Sequence, residues 1–137
     1  MIGTAGEPTD WQGETIKAFV IPQKRDRYAE AVSNAKQRKK FVASLSHFDD
    51  FDSRWIIRVE PSSQHAATLH AILVTHGAPP TCWAISESTD LDGKEVELKT
   101  ALERTVGYQM GTVLSCIPGR LAYFENEDVR FILRRDR

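Results

Sequence analysis

Residues 112–134 read TVLSCIPGRLAYFENEDVRFILR, which is three short apolar segments separated by two turns. The three segments are Thr112–Ile117, Leu121–Glu125 and residues 129–134. They are rich in β-branched and aromatic side chains, as strands are. Pro118-Gly119 and Asn126-Glu127 separate them and are typical turn residues. The pattern therefore predicts a C-terminal β-meander that closes the domain.

Upstream of the meander, the spacing of apolar residues predicts further helices and strands. Helical spacing and capping residues predict helices over residues 24–32, 34–46, 64–76 and 93–106. Short β-branched and aromatic segments predict strands over residues 15–21, 54–60 and 81–86. Asp92 and Glu95 have the spacing of a capping box, which places the start of the last helix at Gly93.

The order of these elements predicts the fold class. A strand, a helix and a strand follow one another from residue 81 to residue 117, and such a crossover makes the two strands parallel. We expect an α+β domain with a mixed, mostly antiparallel sheet of five or six strands, three to four helices, one strand-helix-strand crossover and the C-terminal meander. A three-layer α/β arrangement is the alternative.

Length and composition predict one ordinary domain. The chain has 137 residues, of which 41% are hydrophobic and 27% charged, and its formal net charge is −1. Residues 1–14 contain Gly3, Gly6, Pro8 and Gly13 and are expected to form a mobile leader. Residues 15–137 are expected to form a single domain. Trp11 lies in this leader, where it would dock on its own domain or contact a partner chain.

Cysteine usage and the first residues predict a cytoplasmic protein. No apolar run approaches the ~20 residues of a membrane helix, so no membrane association is expected. Residues 1–10 lack the basic and apolar blocks of a secretory signal. Two cysteines, Cys82 and Cys116, do not make a disulfide framework in a chain of this length.

The expected parallel pair of strands suggests a ligand site. Ligands bind at the carboxyl ends of parallel strands. That edge would bring together five polar side chains, which are Ser86, Glu87, Asp90, Ser115 and Arg120. We expect these residues to be the ligand-binding set.

The same edge contains the candidate catalytic residues, Cys116, Glu87 and Arg120. A cysteine nucleophile needs a lowered pKa and a nearby base. The apolar neighbours of Cys116 favour a core cysteine instead. In the parallel arrangement Cys82 and Cys116 would sit ~10–15 Å apart, which is beyond disulfide reach.

Neither a metal nor a cofactor is expected. Glu87, Asp90 and Asp92 have the chemistry of a Mg²⁺ site, but acids near a helix N-terminus are more simply explained by the helix dipole and by capping. The histidines lack the i, i+4 spacing of a helical zinc site. Residues 107–111 read GYQMG, which lacks the lysine and the spacing of a phosphate-binding loop.

A basic stretch lies between Lys24 and Lys40. Lys36, Arg38, Lys39 and Lys40 form its densest part and would contact a polyanion such as nucleic acid. An isoelectric point of about 6.4 and the lack of interleaved aromatic residues argue against a dedicated nucleic-acid binder.

Elimination therefore favours a small cytosolic non-enzymatic domain that acts by binding a partner protein or by self-association as a homo-oligomer. The first alternative is polyanion or nucleic-acid binding through the basic stretch from Lys24 to Lys40. The second alternative is a small enzyme whose site comprises Glu87, Asp90, Cys116 and Arg120.

Overall fold

A computed structural model describes residues 10–136, which form five α-helices and six strands. The helices are α1 (Trp11–Phe19), α2 (Pro22–Val32), α3 (Ala35–Ser44), α4 (Ala66–Thr75) and α5 (Leu98–Thr105). The strands are β1 (Ile56–Arg58), β2 (Thr81–Ser86), β3 (Glu95–Glu97), β4 (Thr112–Ile117), β5 (Leu121–Glu125) and β6 (Arg130–Arg134).

The six strands form one sheet in the order β1-β6-β5-β4-β2-β3, and every neighbouring pair is antiparallel. The α+β class is confirmed. The C-terminal meander is also confirmed, because β4, β5 and β6 pair in succession. The predicted helix over residues 64–76 and strand over residues 54–60 are present in shorter form, as α4 and β1.

The prediction that β2 and β4 are parallel is wrong, because a strand was missed between them. Residues Glu95–Glu97 form β3, which pairs with β2 as a hairpin and returns the chain to the end of the sheet where β2 begins. Helix α5 then carries the chain back, so β4 starts beside the end of β2 and runs antiparallel to it. The predicted helix over residues 93–106 begins only at Leu98, and Asp92 does not cap it.

Helices cover both faces of the sheet. Helices α1, α2 and α3 pack on one face, where Phe19, Val32 and Phe41 share a buried cluster with Phe124 of β5. Helices α4 and α5 pack on the other face. Burial on both faces explains why the strands of the meander are almost continuously apolar. Among residues 10–136 no helix has the length and hydropathy of a membrane span.

The first helix corrects the prediction for the N-terminal part of the chain. Residues 15–21, predicted as a strand, contain the second half of α1, because Trp11, Thr15 and Phe19 recur every four residues and bury one helical face. Helix α1 also includes the end of the predicted leader, while residues 1–9 lie outside the described residues. Trp11 docks on its own domain, with its ring 5.5 Å from that of Trp83.

The break between α2 and α3 is confirmed. The side chain of Asn34 accepts a hydrogen bond from the backbone N–H of Gln37 at 3.1 Å, so Asn34 is the N-cap of α3. Arg38 of α3 reaches the turn after β2, where it pairs with Asp92.

We expect Phe19→Ala to destabilise the protein strongly. Phe19 is fully buried between α1 and the sheet, so the substitution leaves a cavity and lowers the free energy of unfolding by ~3–5 kcal/mol. Urea unfolding followed by far-UV circular dichroism measures the change. Lys17→Ala, on the exposed side of the same helix, is the control and should change it by less than about 0.5 kcal/mol. Equal effects of the two substitutions would contradict the docking of α1 through this face.

Candidate functional site

The predicted ligand-binding residues do not come together. Ser86 pairs with Thr112, whereas Ser115 pairs with Trp83. Three residues therefore separate Ser86 from Ser115 along the sheet, roughly 10 Å at the rise of a strand. Arg120 lies farther away still, in the turn between β4 and β5. The antiparallel arrangement divides the predicted set between two ends of the sheet.

The polar groups of this set have other partners. The hydroxyl of Ser86 hydrogen-bonds that of Thr112 at 2.7 Å, and the hydroxyl of Ser115 lies 2.9 Å from that of Thr15 in α1. These buried contacts join the strands to each other and to α1. Asp90 is exposed in the turn after β2.

The candidate catalytic residues are also apart. Cys116 is 4% exposed, and burial raises the pKa of its thiol well above the ordinary value, which disfavours the thiolate that a nucleophile needs. The guanidinium of Arg120 donates to the backbone carbonyl of Asp136 at 2.7 Å. Glu87 lies at the opposite end of β4, where it accepts a hydrogen bond from the N–H of Gly111 at 2.6 Å.

The acidic turn after β2 forms an ion pair with an arginine of the same chain, Arg38. Arg38 donates two hydrogen bonds to the carboxylate of Asp92, at 2.6 and 2.8 Å. Asp92 also accepts from the backbone N–H of Ser86 at 2.9 Å. Among residues 10–136 no group of three or more His, Cys, Asp or Glu side chains is arranged to hold a metal ion.

The ion pair between Arg38 and Asp92 removes one cation from the exposed part of the basic stretch. Lys36, Lys39 and Lys40 are exposed on α3, whereas Arg38 is half-buried against Asp92. Lys24 pairs with Asp50 at 3.3 Å. The predicted polyanion surface therefore keeps three of its four densest cations, and the fourth neutralises an acid.

A different feature is prominent at this end of the sheet, namely the display loop, residues 107–111, between α5 and β4. Tyr108 is 65% exposed and Met110 is 40% exposed. They are two of only three large hydrophobic side chains that are exposed among the described residues; the third is Val74. Exposed apolar side chains gathered in one loop mark a candidate interaction site.

The display loop is anchored from beneath by Glu125, which is fully buried. The carboxylate of Glu125 accepts the backbone N–H of Gly107 at 3.0 Å and that of Gln109 at 2.8 Å. Tyr123 donates its hydroxyl to the same carboxylate at 2.8 Å, and Arg130 lies 3.5 Å from it. Two backbone N–H groups of the loop are thus fixed to a charge in the core.

The backbone of the loop is equally constrained. Gln109 has a φ of +61°, which a residue with a side chain rarely adopts. At Gly111 the backbone lies so close to Leu45 that an added Cβ would approach within 2.5 Å of the Leu45 Cβ. Glycine at this position is therefore required by packing. Tyr108 and Met110 flank Gln109, so the fixed backbone contacts of Gln109 and Gly111 set where these two residues lie.

A cleft of about 440 Å³, the rim cleft, lies beside the display loop. Its polar lining residues are Arg58, Gln64, Gln109, Asn126, Glu127, Asp128 and Arg130. Both signs of charge are thus present on one rim, and Gln109 belongs to the loop and to the cleft. A cleft of this volume is large enough for an aromatic side chain or a small ligand.

Sequence reasoning missed this site for an identifiable reason. The GYQMG segment fails the phosphate-loop pattern, which is the motif that its two glycines suggest. The available signal was Tyr108 and Met110 between two glycines directly after a helix. The role of Glu125 has no sequence signal, because an acid at the end of a predicted strand is normally solvent-exposed.

We expect Glu125→Gln to loosen the display loop. The amide keeps the shape of the side chain but turns donor hydrogens toward other donors, so unfolding free energy should fall by about 2–4 kcal/mol. Hydrogen exchange at the amides of Gly107 and Gln109 should accelerate. Glu127→Gln, at an exposed position in the next turn, is the control. Unchanged exchange at both amides in Glu125→Gln would contradict the anchoring role.

Tyr123 should make stability fall at alkaline pH. Burial, followed by the charge of Glu125, raises the pKa of Tyr123, so the folded protein keeps a proton that the unfolded chain loses above about pH 10. The contribution is present below the ordinary pKa of tyrosine and is lost as pH rises toward the folded value. Urea unfolding across this pH range measures the free energy of unfolding, which should decline less with rising pH for Tyr123→Phe than for the wild type. Tyr108→Phe, at an exposed position, should decline as the wild type does.

Comparison with known proteins does not suggest a function for this chain. No protein-family model, curated protein or solved structure matches the chain. The contacts, exposures and charges of the described residues therefore carry the functional conclusion.

Proposed function

We propose that this chain is a cytosolic, non-enzymatic domain that acts by self-association through the display loop and the rim cleft. The observation that carries the proposal is the exposure of Tyr108 and Met110 on an anchored loop. The polyanion and enzyme alternatives have less support, because Arg38 is engaged by Asp92 and the candidate catalytic residues lie apart.

Rigid presentation favours binding through this loop. Tyrosine and methionine are enriched in the buried centres of protein interfaces, and tyrosine often contributes much of the binding energy. Binding is weakened when a flexible loop must first be ordered. The contacts of Glu125 with Gly107 and Gln109 order the loop before any partner arrives.

The position of the cleft favours a second copy of this chain as the partner. A twofold interface brings the same patch of two molecules together, so the patch must complement itself. Here a projecting aromatic side chain, Tyr108, lies one residue from Gln109, which lines the cleft. The cleft can therefore receive the Tyr108 ring of a second copy.

The charges of the rim fit the same arrangement. Arg58 and Arg130 line the cleft together with Glu127 and Asp128. Arg130 is engaged by Glu125, but in a twofold pair Arg58 of one molecule can face Glu127 and Asp128 of the other. Arg58 can in addition stack on an inserted Tyr108 ring as a cation–π contact.

Sedimentation equilibrium tests this proposal. We expect the wild-type chain to dimerise and Tyr108→Ser/Met110→Ser to weaken the dissociation constant at least about tenfold, because the interface loses both apolar anchors. Val74→Ser is the matched control. Val74 is 49% exposed near the end of α4, which leads into the start of β2, at the opposite end of the sheet from the display loop.

Two outcomes would contradict self-association through this surface. One is a wild-type chain that stays monomeric at the highest accessible concentration. The other is a dimer that Val74→Ser weakens as much as the double substitution does. Circular dichroism of each variant checks that the fold is retained.

A further inference from the structure

Cys82 and Cys116 lie on adjacent strands, each next to the paired segment of β2 and β4. Strand β2 pairs antiparallel with β4, and Trp83 stands opposite Ser115. The paired residues end at Trp83 and Ser115, and Cys82 and Cys116 are the next residues on the two strands. Continuing the register by one step, beside an irregularity in the pairing of β4 with β5 between Ser115 and Ile117, would set Cys82 opposite Cys116. This corrects the expectation of a ~10–15 Å separation, which depended on parallel strands.

Both thiols point to the same side of the sheet. Cys82 and Cys116 belong to the buried cluster beneath α4 and α5, together with Ala84 and Leu114. Their neighbours Trp83 and Ile85 belong with the cluster on the opposite face. Side chains on facing positions of one sheet face are direct cross-strand neighbours.

Backbone hydrogen bonds identify the kind of pair. Ala84 donates its N–H to Lys94 and accepts that of Gly93, so the backbone polar groups of Ala84 point away from β4. Cys82, two residues earlier, has the same orientation. The continued register would make Cys82 and Cys116 a non-hydrogen-bonded pair, in which Cα atoms are typically about 4.5 Å apart. Disulfides join Cα atoms about 4.4–6.8 Å apart.

We infer that Cys82 and Cys116 are a redox modification site that forms a reversible intramolecular disulfide when the protein meets a small disulfide oxidant. One thiol attacks the oxidant and releases one oxidant thiol. The second cysteine then attacks the mixed disulfide and releases the other oxidant thiol. The two cysteines lose two hydrogen atoms in all, and the oxidant disulfide gains them as two thiols.

Burial controls how fast this happens. Cys82 is fully buried and Cys116 is 4% exposed, so the oxidant reaches them only when the α4 and α5 layer opens. Burial also raises the pKa of Cys82 to about 12, which keeps the thiolate scarce in the folded state. Once one mixed disulfide exists, the facing cysteine resolves it without further opening. The inference does not depend on self-association.

Intact-mass spectrometry of the full chain tests the site. The protein is incubated with oxidised glutathione in mildly alkaline buffer, and remaining thiols are alkylated. We expect the mass to fall by two hydrogens, no alkylation, and a cross-linked peptide pair containing Cys82 and Cys116. Dithiothreitol should reverse the change. The oxidised chain should unfold about 5 °C or more above the reduced chain.

Controls separate this result from general thiol oxidation. Cys82→Ala and Cys116→Ala each leave one thiol, which should stay reduced or take up a single glutathione. The urea-unfolded chain shows that the reagent and time suffice. The inference is overturned if the folded wild type keeps two alkylatable thiols over that time, accumulates glutathione adducts, or forms disulfide-linked dimers. Because the decisive measurement is made on the wild type, it holds even if a variant fails to fold.

Discussion

The candidate surface depends on the hydrogen bonds that the fully buried carboxylate of Glu125 accepts. A charge in the core is tolerated only when donors surround it. The hydroxyl of Tyr123 and the guanidinium of Arg130 supply part of this solvation, and the backbone of Gly107 and Gln109 supplies the rest. Movement of Gly107 or Gln109 away from Glu125 would leave the carboxylate with fewer donors, so these hydrogen bonds oppose a change in the loop backbone.

The three-residue strand β3 sets the direction of β4 and thereby decides which residues of β2 and β4 are neighbours. Strand β3 adds one traverse of the sheet between β2 and β4, which reverses the direction of β4. That reversal separates Ser86 from Ser115 and brings Cys82 and Cys116 to the same end of two adjacent strands. The same topology places the start of β4, and with it the display loop, beside Glu87 and beside Leu45, which directly follows α3.

The two charged clusters at this end of the sheet have different characters. Arg38 and Asp92 satisfy each other at hydrogen-bonding distance and join α3 to the turn after β2. The rim cleft instead presents cations and acids together on an accessible surface. The first cluster joins two elements of the fold, whereas the second leaves Arg58, Glu127 and Asp128 at exposed positions.

The sequence by itself determined the α+β class, the break between α2 and α3, strand β2 and the meander, because these depend on short-range spacing, caps and turns. Tertiary structure decided that residues 15–19 are helical, that Glu95–Glu97 is a strand, and which residues meet. Those outcomes depend on packing against distant parts of the chain, which overrides local propensity. The burial of Glu125 and the placement of both cysteines on one face of adjacent strands belong to this second group, because both arise from strand register and topology.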